Sequence, residues 1–187
     1  WPNAAKIIQI DTDSRVLGLV KPIELGICGD AALAAIALHG RLQSRQASPE
    51  THSDRLREIS KTKDAWSGEL ADKAKSSDLD AERIDPRTAL TELAKAMPSR
   101  AMVSTDIGNV CSVSNSYLHF EEPKSFLAAM SWGNCGYAMP AAMGAKVGQP
   151  DRPAIAYVGD GAWGMSLTEM MTCVREQIPV VAVVFEN

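Results

Sequence analysis

Apolar and polar positions along this chain fall into three zones. In residues 4–42, "AKIIQIDTD" is a short apolar run ending in acids, and "ELGICGD" is a second short run punctuated by glycine. "AALAAIALHGRL" then strings together strong helix formers, with Gly40 near its end. The predicted order is strand, helix, short strand, helix, as in the last βαβ unit of an α/β domain. Residues 43–84 break this pattern. They are polar and charge-rich, and Leu56, Ile59 and Trp66 are the positions suited to anchoring one helix face. The zone reads as a surface linker with one or two helices, with disorder as the alternative.

From Asp85 onward the alternation returns. Pro86 stands where a first helical turn tolerates it, and Leu90, Leu93, Ala94 and Met97 recur at helical spacing. "AMVSTD" predicts a short strand running into "IGN", and a helix is predicted to start near "GYAMPAAMGAKV". "AIAYVGD" is the next strand, "SLTEMMTCVREQ" the next helix and "VVAVVFEN" the last strand. Alternating β and α elements predict an α/β fold, a parallel sheet with helices on both faces. Residues 85–187 form one domain on this reading, 43–84 a linker and 1–42 the end of a Rossmann-like central domain.

Composition narrows the possibilities. The formal net charge of −4 argues against a nucleic-acid footprint. No apolar run is long enough for a membrane helix, and no basic-then-apolar leader opens the chain. Trp1 in place of an initiator Met suggests a fragment. Cys28, Cys111, Cys135 and Cys173 form no C-x-x-C pair, which predicts neither a zinc site nor a redox motif but reduced, separately buried thiols in a cytoplasmic protein. His39, His52 and His119 show no metal-ligand spacing.

The candidate chemistry lies in "VGDGAWGMSLTEMMTCVREQIPVVAVVFEN". Read as strand, crossover helix and strand, it places Asp160 and Asn187 at neighbouring strand ends on the same sheet edge. Open α/β sheets bind ligands at this carboxyl edge. A carboxylate and an amide oxygen there suit a hard cation. Gly159 and Gly161 let backbone come close to a ligand, and the following helix offers unpaired N–H groups to an anion. Together these features suggest a metal-bridged diphosphate.

The stretch resembles the Gly-Asp-Gly to Asn-Asn motif of the thiamine-diphosphate-dependent, acetolactate synthase-like enzymes. The resemblance implies thiamine diphosphate and Mg²⁺ as cofactors, with Asp160 and Asn187 as metal ligands. Glu186 stands where the family has its first Asn, and the third ligand, a backbone carbonyl, is expected beyond residue 187. "STDIGN" resembles the diphosphate-binding loop, which implies cofactor contacts at Ile107, Gly108, Asn109 and Val110. "SWGNCGYAMPAAMGAK" resembles the family's Gly-rich segment, which implies contacts at Gly133, Asn134 and Cys135, with Cys135 where a bulkier residue props the cofactor. Gly159, Gly161 and Ala162 complete the implied cofactor set. "AKIIQIDTDSRVLG" with "ICGD" resembles the end of the central domain, to which no nucleotide is assigned.

No catalytic residue is assigned within the chain. The resemblance places the activating Glu outside it, in a partner subunit, so the chain by itself is expected to be inactive. Glu169 reads as a surface or packing-edge residue. Within the family, "STDIGNVCSVSNSYLHF", "MSWGNCGYAMPAAMGAK" and the terminal stretch most resemble the branch that takes sulfoacetaldehyde and phosphate to acetyl phosphate and sulfite in taurine and sulfonate degradation. That implies small-molecule substrates, a homo-oligomeric parent (dimer or tetramer), and neither a nucleic-acid nor a membrane partner. The alternatives are an acetolactate synthase or other 2-oxoacid-using relative, and a non-catalytic α/β binding module.

Overall fold

The structure, a computed structural model, describes residues 4–45, 49–75 and 83–186. The chain divides into two compact units, Trp1–Lys61 and Thr62–Asn187.

In the first unit, strands β1 (Ile8–Asp11) and β2 (Leu25–Cys28) pair in parallel, with Ile8 level with Leu25 and Asp11 level with Cys28. Helix α1 (Ala31–Gln43) follows, its first turn capped by Asp30, whose carboxylate accepts the Leu33 N–H at 2.9 Å. The helix expected between the two strands is only a 3-10 turn, Ser14–Val16. Gly18, at φ 75°, and Pro22 interrupt that connection, so no uninterrupted run of helical length is left. The acids of "IDTD" serve this turn. Asp11 ends β1 and accepts the Asp13 N–H, and Asp13 caps the turn by accepting from Arg15.

Helix α2 (Pro49–Lys75) occupies much of the charge-rich zone. Leu56, Ile59 and Trp66 are all about half exposed, so they do not anchor it in a core as expected. The residues that do are Leu70 and Ala74, near its C-terminal end. Ion pairs Lys73–Glu69 and Lys75–Asp72 line the last turns at helical spacing.

The second unit is built on a four-stranded parallel sheet, in the order β4 (Phe126–Ala128), β3 (Met102–Thr105), β5 (Ala154–Gly159), β6 (Val181–Phe185). Side chains alternate across β5. Ala154, Ala156 and Val158 pack with helix α5 (Ala138–Gly148) and with Cys173 of helix α7 (Glu169–Arg175). Ile155 and Tyr157 face the other way, toward Leu90 of helix α3 (Pro86–Ala96), Tyr117 of helix α4 (Asn109–Tyr117) and Ala74 of α2. Both faces are covered, which is why this strand reads as a continuous apolar run.

Three local features depart from the sequence reading. β4 is an additional strand, and "IGN" leads directly into α4 rather than into a longer loop. The helix expected over Ser166–Gln177 is the shorter α7, preceded by a further helix, α6 (Asp160–Ser166), with Asp160 already in its first turn. At their junction Met170 and Met171 donate to the carbonyls of Leu167 and Thr168, tighter bonds that break the α-helical repeat.

Candidate functional site

Because all four strands of the sheet are parallel, their C-terminal ends share one edge. Three segments emerge there. Asp106 to Val110 follows β3, Met130 to Tyr137 follows β4, and Gly159 to Ala162 closes β5 and opens α6.

The first two segments are neighbours. A Cβ added to Gly133 would lie 3.8 Å from Cγ1 of Ile107. The second also meets α6, since a Cβ on Gly136 would stand 3.2 Å from Cβ of Met165. Gly108 caps α4 with φ 119° and ψ −164°, a conformation that side-chain-bearing residues rarely adopt. Its peptide therefore turns sharply, leaving the first N–H groups of α4 at the sheet edge. Above Gly108, Gly159 and Gly161 no atom comes within contact range of an added Cβ, so the backbone there faces open space.

The expected site residues differ in what they can offer. Ile107, Gly108, Asn109, Gly133 and Asn134 are exposed. Val110 packs against the core and Ala162 is buried, so these two present backbone rather than side chain to the edge. Asp160 is exposed, and its carboxylate has no hydrogen bond or ion pair among the described residues. A free carboxylate at a strand end beside open glycine backbone fits a hard-cation and phosphate chemistry. Asn187 lies outside the described residues. Among the described residues no three His, Cys, Asp or Glu side chains converge on one point.

Two cysteines correct the expectation of buried thiols. Cys111 and Cys173 are buried, but Cys28 and Cys135 are exposed. Cys135 therefore does not fill the core, because the glycines around it hold its loop at the surface. Burial pushes the Cys111 thiol above its ordinary range. Burial, with the negative charge of Glu169 second, does the same to Cys173. Glu169 itself is half-buried at the start of α7.

The sequence reading missed Asp106. It is fully buried at the end of β3, and its carboxylate accepts the N–H of Tyr137 at 2.8 Å and of Ala138 at 3.2 Å. These are the first turn of α5, which no side chain of its own caps. From the same strand, the Ser104 hydroxyl donates to the Ala138 carbonyl. The only sequence signal is an acid directly after an apolar strand, and nothing local names its partner.

A family profile described as thiamine pyrophosphate enzyme, C-terminal TPP binding domain, matches residues 106–187. Residues 106–187 are thus similar to this thiamine pyrophosphate enzyme family. The match begins at Asp106 and takes in every segment of the sheet edge described above. The chain is also 52% identical, over its whole length, to the sulfoacetaldehyde acetyltransferase of Castellaniella defragrans, of which it covers 33%. It is equally 52% identical to the sulfoacetaldehyde acetyltransferase of Alcaligenes xylosoxydans xylosoxydans, of which it covers 34%. Acetolactate synthase 1 of Nicotiana tabacum, a chloroplastic enzyme, is 29% identical and 27% covered. The chain thus spans about a third of the length of the curated relatives it matches. No helix among the described residues is long and apolar enough to cross a membrane.

Proposed function

We propose that this chain supplies the diphosphate- and Mg²⁺-binding part of a thiamine-diphosphate-dependent sulfoacetaldehyde acetyltransferase, which converts sulfoacetaldehyde and phosphate to acetyl phosphate and sulfite. The observation that carries the cofactor reading is the sheet edge, where the unpaired Asp160 carboxylate adjoins open glycine backbone. The 52% identity to two acetyltransferases, against 29% to an acetolactate synthase, carries the substrate.

In this reading Asp160 and Asn187 would hold a divalent cation, whose charge would offset that of the diphosphate. Gly108, Asn109 and Val110 present the N-terminal N–H groups of α4 to the phosphate oxygens, and the start of α6 does the same from Gly161 and Ala162. Ile107 and the Gly133–Cys135 loop flank the rings, with the Cys135 thiol exposed beside them. When bound, thiamine diphosphate supplies a nucleophilic carbon and an electron sink. This chain's residues grip and orient it, and the acid that activates it comes from elsewhere in a homo-oligomeric, cytoplasmic enzyme of taurine and sulfonate breakdown.

The test uses the whole protein that carries this sequence, with Mg²⁺ and thiamine diphosphate. It receives sulfoacetaldehyde plus phosphate in one arm and pyruvate in the other. Sulfite and acetyl phosphate in equal amounts, formed only with phosphate present, are expected. Pyruvate consumption with CO₂ release and no sulfite would assign it to the acetolactate synthases. Failure to bind the cofactor would favour a non-catalytic module.

A further inference from the structure

The proposed cofactor segments are joined by a residue that neither the motif nor the sheet edge singles out. Asp106 directly precedes Ile107–Val110, and Tyr137 follows the Gly133–Gly136 loop after one peptide bond. The Asp106 carboxylate accepts from Tyr137 and Ala138, so one buried side chain sits at the root of both segments.

Three features make this more than an ordinary helix cap. The cap is non-local, reaching across 31 positions of sequence. The side chain is wholly buried, and the bonds its carboxylate makes among the described residues are to those two N–H groups at the start of a helix. Ser104 grips the carbonyl of the same Ala138. The start of α5 is thereby held through its N–H and its C=O by one strand end, and Ile107 lies against Gly133 just above.

We propose that Asp106 is a positioning residue for the cofactor. It ties the diphosphate segment Ile107–Val110 to the ring-flanking segment Gly133–Cys135, and so sets the spacing at which the two halves of thiamine diphosphate are held. This rests on the cofactor reading above. Asn in place of Asp106 keeps the size and one acceptor oxygen but turns an NH₂ toward a backbone N–H. The link is then half broken without leaving a hole.

The experiment compares Asp106→Asn with Arg152→Lys in the whole protein. Arg152 is buried at the opposite edge of the sheet and contacts none of the cofactor segments. Thermal melting measures stability, and calorimetry with thiamine diphosphate and Mg²⁺ measures affinity. Near-ultraviolet circular dichroism reads the asymmetry imposed on the bound cofactor. Asp106→Asn is expected to weaken cofactor binding on the order of ten- to a hundredfold, as loss of a supporting partner typically does, and to change the dichroic band. Arg152→Lys should melt earlier while its affinity stays within about twofold, as separate sites predict.

Unchanged affinity and dichroism in a folded Asp106→Asn protein overturns the proposal, as does an equal affinity loss in both variants. If Asp106→Asn does not fold, hydrogen exchange on the wild-type protein decides. Cofactor addition should protect the Tyr137 and Ala138 amides together with those of Ile107–Val110, and protection of the latter alone overturns the link. A wild-type protein that binds no thiamine diphosphate overturns the functional reading itself, and this inference with it.

Discussion

The carboxylate of Asp106 at the end of β3 accepts the backbone N–H of Tyr137 at the entrance to α5, at 2.8 Å. That bond joins two connections of the sheet that are remote in sequence. It braces two of the three segments at the carboxyl edge against each other.

The carboxylate proposed to hold the metal should be separable from the fold. Asp160 is exposed and makes no hydrogen bond or ion pair among the described residues. Asp160→Ala is therefore expected to leave thermal stability within about 0.5 kcal/mol of wild type, the usual range for surface changes. The same substitution should weaken Mg²⁺-dependent thiamine diphosphate binding by at least about 100-fold, more than loss of a supporting partner costs. Calorimetry in the whole protein with unchanged affinity would remove Asp160 from the metal site. Asn187→Ala should act in the same direction but less severely, a neutral amide being a weaker ligand for a hard cation.

Gly136 tests the packing of the Met130–Tyr137 segment on α6. At φ 83°, an alanine is strained, and its Cβ would press on Met165 at 3.2 Å. Gly136→Ala should cost roughly 1–3 kcal/mol in a urea titration, the range for a side chain forced into that conformation. In a double-mutant cycle, Met165→Gly, which removes that Cβ, should recover part of this loss. No recovery would show that backbone strain, not the contact, sets the cost.

At the opposite edge, Arg152 ties three strand beginnings together. Its guanidinium donates to the Arg100 carbonyl at 2.9 Å and to the Ser125 hydroxyl, with Glu122 at 3.7 Å. Arg152→Met should destabilise by about 1–3 kcal/mol, because the buried Ser125 hydroxyl loses its partner while Glu122 keeps its ion pair with Arg100. Arg152→Lys should rescue little, since a single ammonium cannot reproduce the fork. Denaturant midpoints of the two variants check this, and near-wild-type stability of the lysine variant would show that charge alone suffices.

Tyr157 carries a testable pH dependence. Its hydroxyl is buried without a hydrogen-bond partner among the described residues, and its ring packs edge-on against Phe185 at 4.7 Å. Burial raises its pKa well above the ordinary phenol value. The folded state therefore keeps the proton that the unfolded chain releases above about pH 10. Its contribution is full below that pH, and stability falls as pH rises further. Tyr157→Phe should stabilise by about 1–3 kcal/mol at neutral pH, because an unsatisfied polar group is removed. It should also flatten the alkaline decline measured by denaturation. Lower stability would mean that the hydroxyl has a partner in the whole protein.

What the chain's own letters determined is what local chemistry can express. Met102–Thr105 and Ala154–Gly159 are strands covered on both faces, so their character is visible residue by residue, and Val181–Phe185 is as apolar although Val181 and Val184 are exposed. The same alternation of strand and helix was enough to put Asp160 at a carboxyl edge. The short strand Phe126–Ala128 was hidden, since three residues carry no period and pair only because β3 lies alongside. The connection from β1 to β2 looked helical until Gly18 and Pro22 broke it. Leu56, Ile59 and Trp66 recur at helical spacing yet stay half exposed, because spacing says which side chains share a face and not whether anything covers it. The role of Asp106 could come only from the tertiary structure. A capping carboxylate is recognisable in sequence when its helix begins within a few residues, and here the N–H groups it serves arrive from another strand, brought within 2.8 Å by the order in which β4, β3 and β5 pair.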